Sequence, residues 1–334
     1  MSHQATPADP VVSVVTPFYN TERYLADAIE SVLAQTYGNF EYLLVDNRST
    51  DGSLAIAQRY AAHDPRIRVS INRDFVDQDT NFSGALRQIS PGSRYCKIVL
   101  ADDCLLPRCL EAMVAVAEAH PSVGMVSSYY LKGTQLMGSG MPYPTARLTG
   151  RDVCRLQILD GVFFFGSPTT IMFRSDVVRS VVPFYDAAAP HADTEACYRT
   201  MRSSDFGFVH QVLSFLRVED GSRMGAIRDY FADHLDRYII IEKFGRDFLT
   251  ADEHRAVERR SRTAYFRRLS EALLFRRDAQ LWRYHRDGLA TIGYDLRWYK
   301  LWKQLLWVLA DLVLNPLQTA ERIVQRLARR PRRK

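Results

Sequence analysis

Between residues 11 and 130, short β-branched runs alternate with stretches of helical spacing, and this alternation limits the possible folds more than any other feature of the chain. VVSVVT (11–16) is such a run, closed by Pro17. Over 22–34, Tyr24, Leu25, Ala28, Ile29, Val32 and Leu33 recur at the spacing of an amphipathic helix. FEYLLV (40–45) reads as a buried strand, and DGSLAIAQRY (51–60) as a helix opened by Asp and Gly. IRVSI (67–71), CKIVLA (96–101) and VGMVSSYY (123–130) supply further strands, with helices expected at about 80–90 and 106–119. Strands separated by helices of this length predict βαβ units and a mostly parallel sheet, with ligands at the carboxyl ends of its strands.

After about residue 150 the pattern changes. A helix over 151–159 leads into the aromatic turn GVFFFGSPTTIMF, whose end reads as a strand. PHADTEACYRTM looks helical, FGFVHQVLSFLRV (206–218) reads as a strand or hairpin, and from about 226 the chain is helical and rich in Arg and aromatics. We therefore expect a disordered N-terminus (1–10), an α/β domain (11–225), a helical extension (226–300), and an amphipathic helix with a basic tail (301–334).

Charge narrows the partners. The formal net charge is +6, and residues 318–334 hold seven Arg/Lys against one acid, Glu321, so they carry the whole excess. A neutral body argues against nucleic acid as the main ligand. LWKQLLWVLADLVLNPL (301–317) is apolar but broken by Lys303, Asp311 and Pro316. It suits a helix lying in a membrane interface with Trp302 and Trp307 at headgroup depth, followed by a polybasic segment; the alternative is a helix packed on the protein itself. Five cysteines without a CxxC pair, and an N-terminus without a basic stretch followed by an apolar run, point to a reducing, cytoplasmic location, peripheral at the inner face of the membrane.

The chemistry should lie in the loops after the strands. No GxGxxG follows the first strand and no GxxxxGK[ST] occurs, so dinucleotide and P-loop readings lose their support. Instead the first strand ends in TPFYN (16–20), the second in VDNRSTDGS (45–53) and the fourth in LADD (100–103). Asp46, Asp102 and Asp103 would converge on one edge, where carboxylates suit Mg²⁺ or Mn²⁺ shared with substrate phosphates. Asp102–Asp103 would equally cap a helix beginning near Leu106. Asp193 and Glu195, in HADTEACYRTM, would equally sit at a helix start.

TPFYN, then SVLAQTYGNFEYLLVDNRSTDGS, a helix, and KIVLADDCLLP, in this order and spacing, resemble glycosyltransferase family 2 over roughly residues 11–225. The resemblance implies the GT-A fold, a Rossmann-like, mostly parallel central sheet flanked by helices, here with a C-terminal helical extension. It also implies inverting transfer from a nucleotide-sugar donor to a glycan or lipid-linked acceptor, with a divalent cation (Mn²⁺ or Mg²⁺). On this chain it places Thr16, Pro17 and Tyr19 against the nucleoside, Asp46 on the base, Asp102 on the metal with Asp103 beside it, and Asp193 as general base. Glu195 follows as a weaker candidate. Arg217 stands at a diphosphate or strand-edge position, Glu219 where a metal-completing His is usual, and Asn81 at the donor pocket or a helix cap. His191 and His210 read as structural. The chain departs from the family pattern at Asn47 and Arg48, where a second Asp and a Gly are usual, and at Leu100, Ala192 and Glu219. These losses make a non-catalytic nucleotide-sugar-binding protein of the same fold the second reading, and a nucleic-acid binder using its basic tail the third.

Overall fold

The computed structural model describes residues 11–218, 230–275, 279–297, 301–302, 305–306 and 314. Contacts divide the chain into two units: Met1–Ser222 with Phe244–Thr250, and Arg223–Lys243 with Ala251–Lys334.

The first unit is built on a ten-stranded sheet in the order β3-β2-β1-β4-β9-β6-β10-β5, with β7 paired to β6 and β8 to β10. Strand β1 (Val12–Phe18) is buried along its whole length, as an apolar run between two neighbours must be. It pairs in parallel with β2 (Phe40–Asp46) on one side and β4 (Tyr95–Ile98) on the other, and β2 pairs in parallel with β3 (Ile67–Ile71). The expected α/β architecture, a mostly parallel sheet flanked by helices, is what these residues form.

Helix α1 (Leu25–Leu33) buries Leu25, Ala28, Ile29 and Val32, the stripe its spacing predicts. Between the strands also lie α2 (Ser53–Ala61), α3 (Gln78–Leu86), β5 (Cys104–Leu105) and α4 (Cys109–Ala119). Further on come β6 (Val123–Lys132), β7 (Gln135–Met137), β8 (Arg147–Leu148) and α5 (Gly150–Asp160). A 3-10 turn (Pro168–Thr170), β9 (Met172–Arg174), α6 (Ser175–Arg179), α7 (Ala192–Thr200) and β10 (Asp205–Leu216) complete the unit.

Three sequence expectations change. Pro17 does not close β1, which runs on to Phe18. Val15 bonds toward β4, so Pro17, of the same parity, turns its missing N–H to a side that β4 leaves after Ile98. FGFVHQVLSFLRV is a single strand, β10, with irregular register around Val209–Val212 where it runs parallel to β6. The helix expected from 106 begins at Cys109, and LADD lies in the turn after β4. The direction of β9 was not legible: it runs antiparallel between β4 and β6, so β4 and β6 point the same way. The carboxyl ends of β1, β2, β4, β6 and β10 therefore share one edge.

The second unit is helical, with α8 (Ala232–Phe248, its last turn belonging to the first unit), α9 (Ala251–Phe275) and α10 (Ala279–Ala290). Leu235, Ile239, Leu269, Leu281 and Leu289 pack with Tyr238 and Tyr265, whose rings stack at 5.6 Å. No helix among the described residues is long and apolar enough to cross a membrane. Most of 301–334, including Trp307, Asp311 and the arginine tail, lies outside the described residues.

His285 is fully buried in this core, with Nδ1 3.0 Å from the Tyr265 hydroxyl. Burial pushes its pKa down to about 4, a backbone hydrogen bond to Tyr230 opposing the shift. An unfolded histidine titrates near 6.5, so the unfolded chain binds the extra proton first. The stability held by neutral His285 is complete above that value and is lost as the pH falls toward about 4, by about 3 kcal/mol. Urea midpoints at pH 7 and pH 4.5 check this: H285Q, which keeps a hydrogen-bonding side chain without titrating, should lose less stability between them than wild type.

Candidate active site

The site is assembled from the loops at the carboxyl edge, and each loop is tied to its neighbour. Phe18 and Asp46 face each other at the ends of β1 and β2. Beyond them Asn20 exchanges hydrogen bonds with Thr50 (2.8 Å from the Thr50 N–H) and donates its own N–H to the Ser49 hydroxyl. The Thr21 N–H reaches the Ser53 hydroxyl (2.8 Å), the Glu22 N–H reaches Asp51, and the Gly52 N–H reaches the Glu22 carboxylate at 2.5 Å. A Cβ on Gly52 would stand 2.7 Å from that carboxylate, so a larger residue there would displace the Glu22 side chain from this bond. Asp46 is buried and accepts the Ser49 N–H at 3.0 Å.

The departures at 47 and 48 acquire physical roles here. Asn47 is buried, donates to the Val76 carbonyl (2.8 Å) and accepts the Val76 N–H (3.1 Å) and the Asn72 amide (2.9 Å). An aspartate could accept but not donate, so the amide is required for both halves of the clamp. Arg48 has φ +67, the left-handed region that favours glycine, and its side chain is exposed. Asn81 is not a helix cap: it is buried, accepts from Asn72 at 2.8 Å, and α3 is capped by Asp77 through the Thr80 N–H. Thr16 has 0 % exposure and its hydroxyl meets Tyr42 at 2.9 Å, so its side chain is held inside the sheet. Pro17 is likewise buried. Tyr19 alone of the three is exposed.

At the end of β4 the two aspartates diverge. Asp103 is buried; its Oδ2 accepts the Thr169 hydroxyl at 2.6 Å and its Oδ1 the Arg217 N–H at 3.2 Å. The same Thr169 hydroxyl accepts the Leu100 N–H. Burial pushes the Asp103 carboxyl up to about 7, the Thr169 bond resisting and the neighbouring Asp102 charge reinforcing the shift. Asp102 is half-buried in the turn. Arg217 bonds the Asp102 carbonyl through Nε (3.0 Å), pairs with Asp27 (3.0 Å) and lies 4.5 Å over the Tyr24 ring. Its guanidinium thus holds the acid-bearing turn to α1, a strand-exit role. Below the turn, the wholly buried Lys97 donates to the carbonyls of Thr169 (2.5 Å) and Ile171 (3.3 Å).

SVLAQTY is a bracket for the same turn. Ser31 accepts the Leu105 N–H, Gln35 donates to the Leu106 carbonyl and accepts the Leu110 N–H, and the Thr36 N–H reaches the Pro107 carbonyl. Asp193 and Glu195 lie in the first turn of α7, where the helix dipole favours acids. His191 occupies the cap position without a side-chain cap bond, and the half-buried Asp193 accepts the Thr194 N–H at 2.8 Å beside Tyr185 and Cys197. Glu195 is buried. His210 is structural, held between the Tyr129 hydroxyl (3.0 Å) and the Thr145 carbonyl (2.9 Å). Glu219 lies outside the described residues. Among the described residues no group of three or more His, Cys, Asp or Glu is arranged to hold an ion by itself. Asp102 fits the other mode, in which Mg²⁺ or Mn²⁺ takes one or two carboxylates and completes its shell with phosphates and water.

A mostly parallel sheet flanked by helices, with β9 running against its neighbours and an acid turn beside two interlocked loops at the carboxyl edge, is a GT-A-type fold. The match of residues 13–182, just over half the chain, places it in a family: the chain belongs to Glycosyl transferase family 2. It is 34% identical over 158 residues to the putative glycosyltransferase EpsE of Bacillus subtilis (strain 168), covering 45% of this chain and 56% of that one, so it spans little more than half of that relative. Among solved structures, S. aureus TarS 1-349 in complex with UDP-GlcNAc superposes with a TM-score of 0.58 at 16% identity, covering 84% and 80% of the two chains. The mannosyltransferase PcManGT from Pyrobaculum calidifontis, in complex with GDP-Man and Mn2+, gives 0.54 at 15% identity, covering 92% and 87%. At these identities the superpositions speak to fold.

N47D tests the clamp. It should remove one hydrogen bond and set a carboxylate against the Val76 carbonyl, costing about 1–3 kcal/mol. The checks are the urea midpoint and amide exchange at Val76; unchanged exchange there would dismiss the clamp.

Proposed function

We propose that this protein is an inverting, hexosyltransferase-type glycosyltransferase that moves a sugar from a nucleotide-sugar donor to a hydroxyl of a glycan or lipid-linked acceptor in surface polysaccharide synthesis. The observation that carries the reading is the Asp102–Asp103 turn, held by Thr169 and Arg217 next to the interlocked loops that present Tyr19 and Asp46. Family membership and the relative named as a putative glycosyltransferase support it. The two solved neighbours hold UDP-GlcNAc and GDP-Man, which supports a nucleotide-sugar donor, and the Mn2+ in one supports a divalent cation.

Tyr19 and Asp46 take the nucleoside. Asp102 holds the cation, which when bound supplies positive charge to the departing diphosphate. Asp103 is turned inward, buried, with one oxygen accepting the Thr169 hydroxyl and the other the Arg217 N–H, which leaves the half-buried Asp102 as the acid nearer solvent. Asp193 takes the proton of the attacking hydroxyl, the one base that a single in-line displacement needs. Its place in the first turn of a helix suits a carboxylate.

Nucleoside diphosphate release from a panel of nucleotide sugars, with acceptor-bearing membranes and Mn²⁺ or Mg²⁺, tests the activity. General-base assistance is worth about 10²–10⁴ in rate, so D193N should lose at least 10²-fold in turnover while nucleoside diphosphate affinity stays within about twofold. Retained turnover would remove Asp193 from this role.

We assign the segment from Trp302 to 334 to the inner face of the cell membrane, Leu301 before it being buried in the helical core. Trp302, Leu306 and Leu314 are exposed apolar residues in this segment, and the sequence continues into the arginine tail. Flotation with anionic liposomes should fall at least fivefold when the chain is ended at residue 300; equal flotation of both forms would overturn the assignment.

A further inference from the structure

Phe75 lies on the polar stretch NRDFVDQ between β3 and α3, where no periodicity calls for an aromatic residue. It is 60 % exposed, and its ring centroid lies 4.8 Å from that of Tyr19, itself 43 % exposed, with the planes tilted by 58°. Contact between two rings that both remain largely in solvent buries little apolar area, so packing alone does not account for it. Nor is the ring on a loose tether. Asn47 bonds both the N–H and the carbonyl of Val76, the next residue, and Asp77 caps α3 directly after it. On the other side Tyr19 follows β1 at Phe18, which is in register with Asp46, and the loop beyond it is fastened at Asn20, Thr21 and Glu22.

We propose that Phe75 and Tyr19 form an aromatic wall on which the base of a nucleoside diphosphate stacks, with Phe75 a specificity-independent binding residue that the sequence motifs do not mark. The inference rests on the nucleotide-sugar reading and names a residue of that site. Because the two exposed rings are inclined by 58°, a base stacked on the face of one meets the other edge-on, and every base has a π-face, so the wall sets affinity. Discrimination between bases falls to the polar groups beside it, Asp46 first. The cost of holding the rings in solvent is offset when the base covers them.

The experiment is calorimetric binding of UDP, GDP, ADP and CDP to the full chain with Mn²⁺, with inorganic pyrophosphate as a probe that lacks a base. For the nucleotide that wild type binds best, F75A should raise Kd about tenfold, and F75W should stay within about twofold. Pyrophosphate affinity should be equal in all three proteins. Equal pyrophosphate affinity with unchanged nucleotide affinity in F75A overturns the wall and leaves the transferase reading standing. An equal loss for pyrophosphate and nucleotide overturns it too, because Phe75 would then act on the loop and not on the base. If wild type binds none of the four nucleotides, the donor reading falls and the wall with it.

Discussion

A single buried lysine fastens the carboxyl edge to the middle of the sheet. Lys97 occupies the central strand β4 with no solvent contact, and desolvation lowers its pKa. Such a group is tolerated only where carbonyl oxygens replace its water. Those of Thr169 and Ile171 do so, which fixes the 3-10 turn and the first residues of β9. The Thr169 hydroxyl then accepts the Leu100 N–H and donates a hydrogen bond to Asp103, which also accepts the Arg217 N–H from the exit of β10. Strand β4, the SPTT turn and β10 are thereby coupled through one threonine. The positions of Asp102 and Arg217 are consequences of that coupling.

Much of this was legible in the chain, and unevenly. The continuous apolar runs located β1 and β2, because strands covered on both faces read that way, and the alternation in IRVSI located the edge strand β3 with its bounds unchanged. The three-residue β9 was visible as an apolar segment but not as an antiparallel insertion, since direction depends on partners far away in sequence. Lys97 stood in CKIVLA as a charged residue in an apolar run, a signal that a strand assignment alone passes over. Phe75 carried no signal, because neither periodicity nor motif marks a lone aromatic in a polar loop.

The family pattern worked in the same graded way. It pointed to the edge, yet could not tell a residue that lines a site from one that supports it. Thr16 and Asn81 are buried supports. Asp103, adjacent to Asp102 in sequence, is committed inward by two hydrogen bonds. Asn47 and Arg48 looked like losses. The first holds a loop whose contact lies 29 residues downstream, and the second keeps a left-handed backbone despite its Cβ. Substitution at a motif position changed the chemistry of the link and preserved the geometry it serves.

The insertion of β9 between β4 and β6 also bears on how the molecule is made. A chain synthesised from its N-terminal side completes β4 well before β9, at a few residues per second or faster. One flank of β4 then has no strand to pair with until Met172–Arg174 emerge, and β6 waits for the same three residues. An uncovered strand edge is a template for pairing with other chains. The nascent protein is therefore most vulnerable to misassembly over the stretch of synthesis that separates Ile98 from Met172, and the ribosome's pace across it sets how long that exposure lasts.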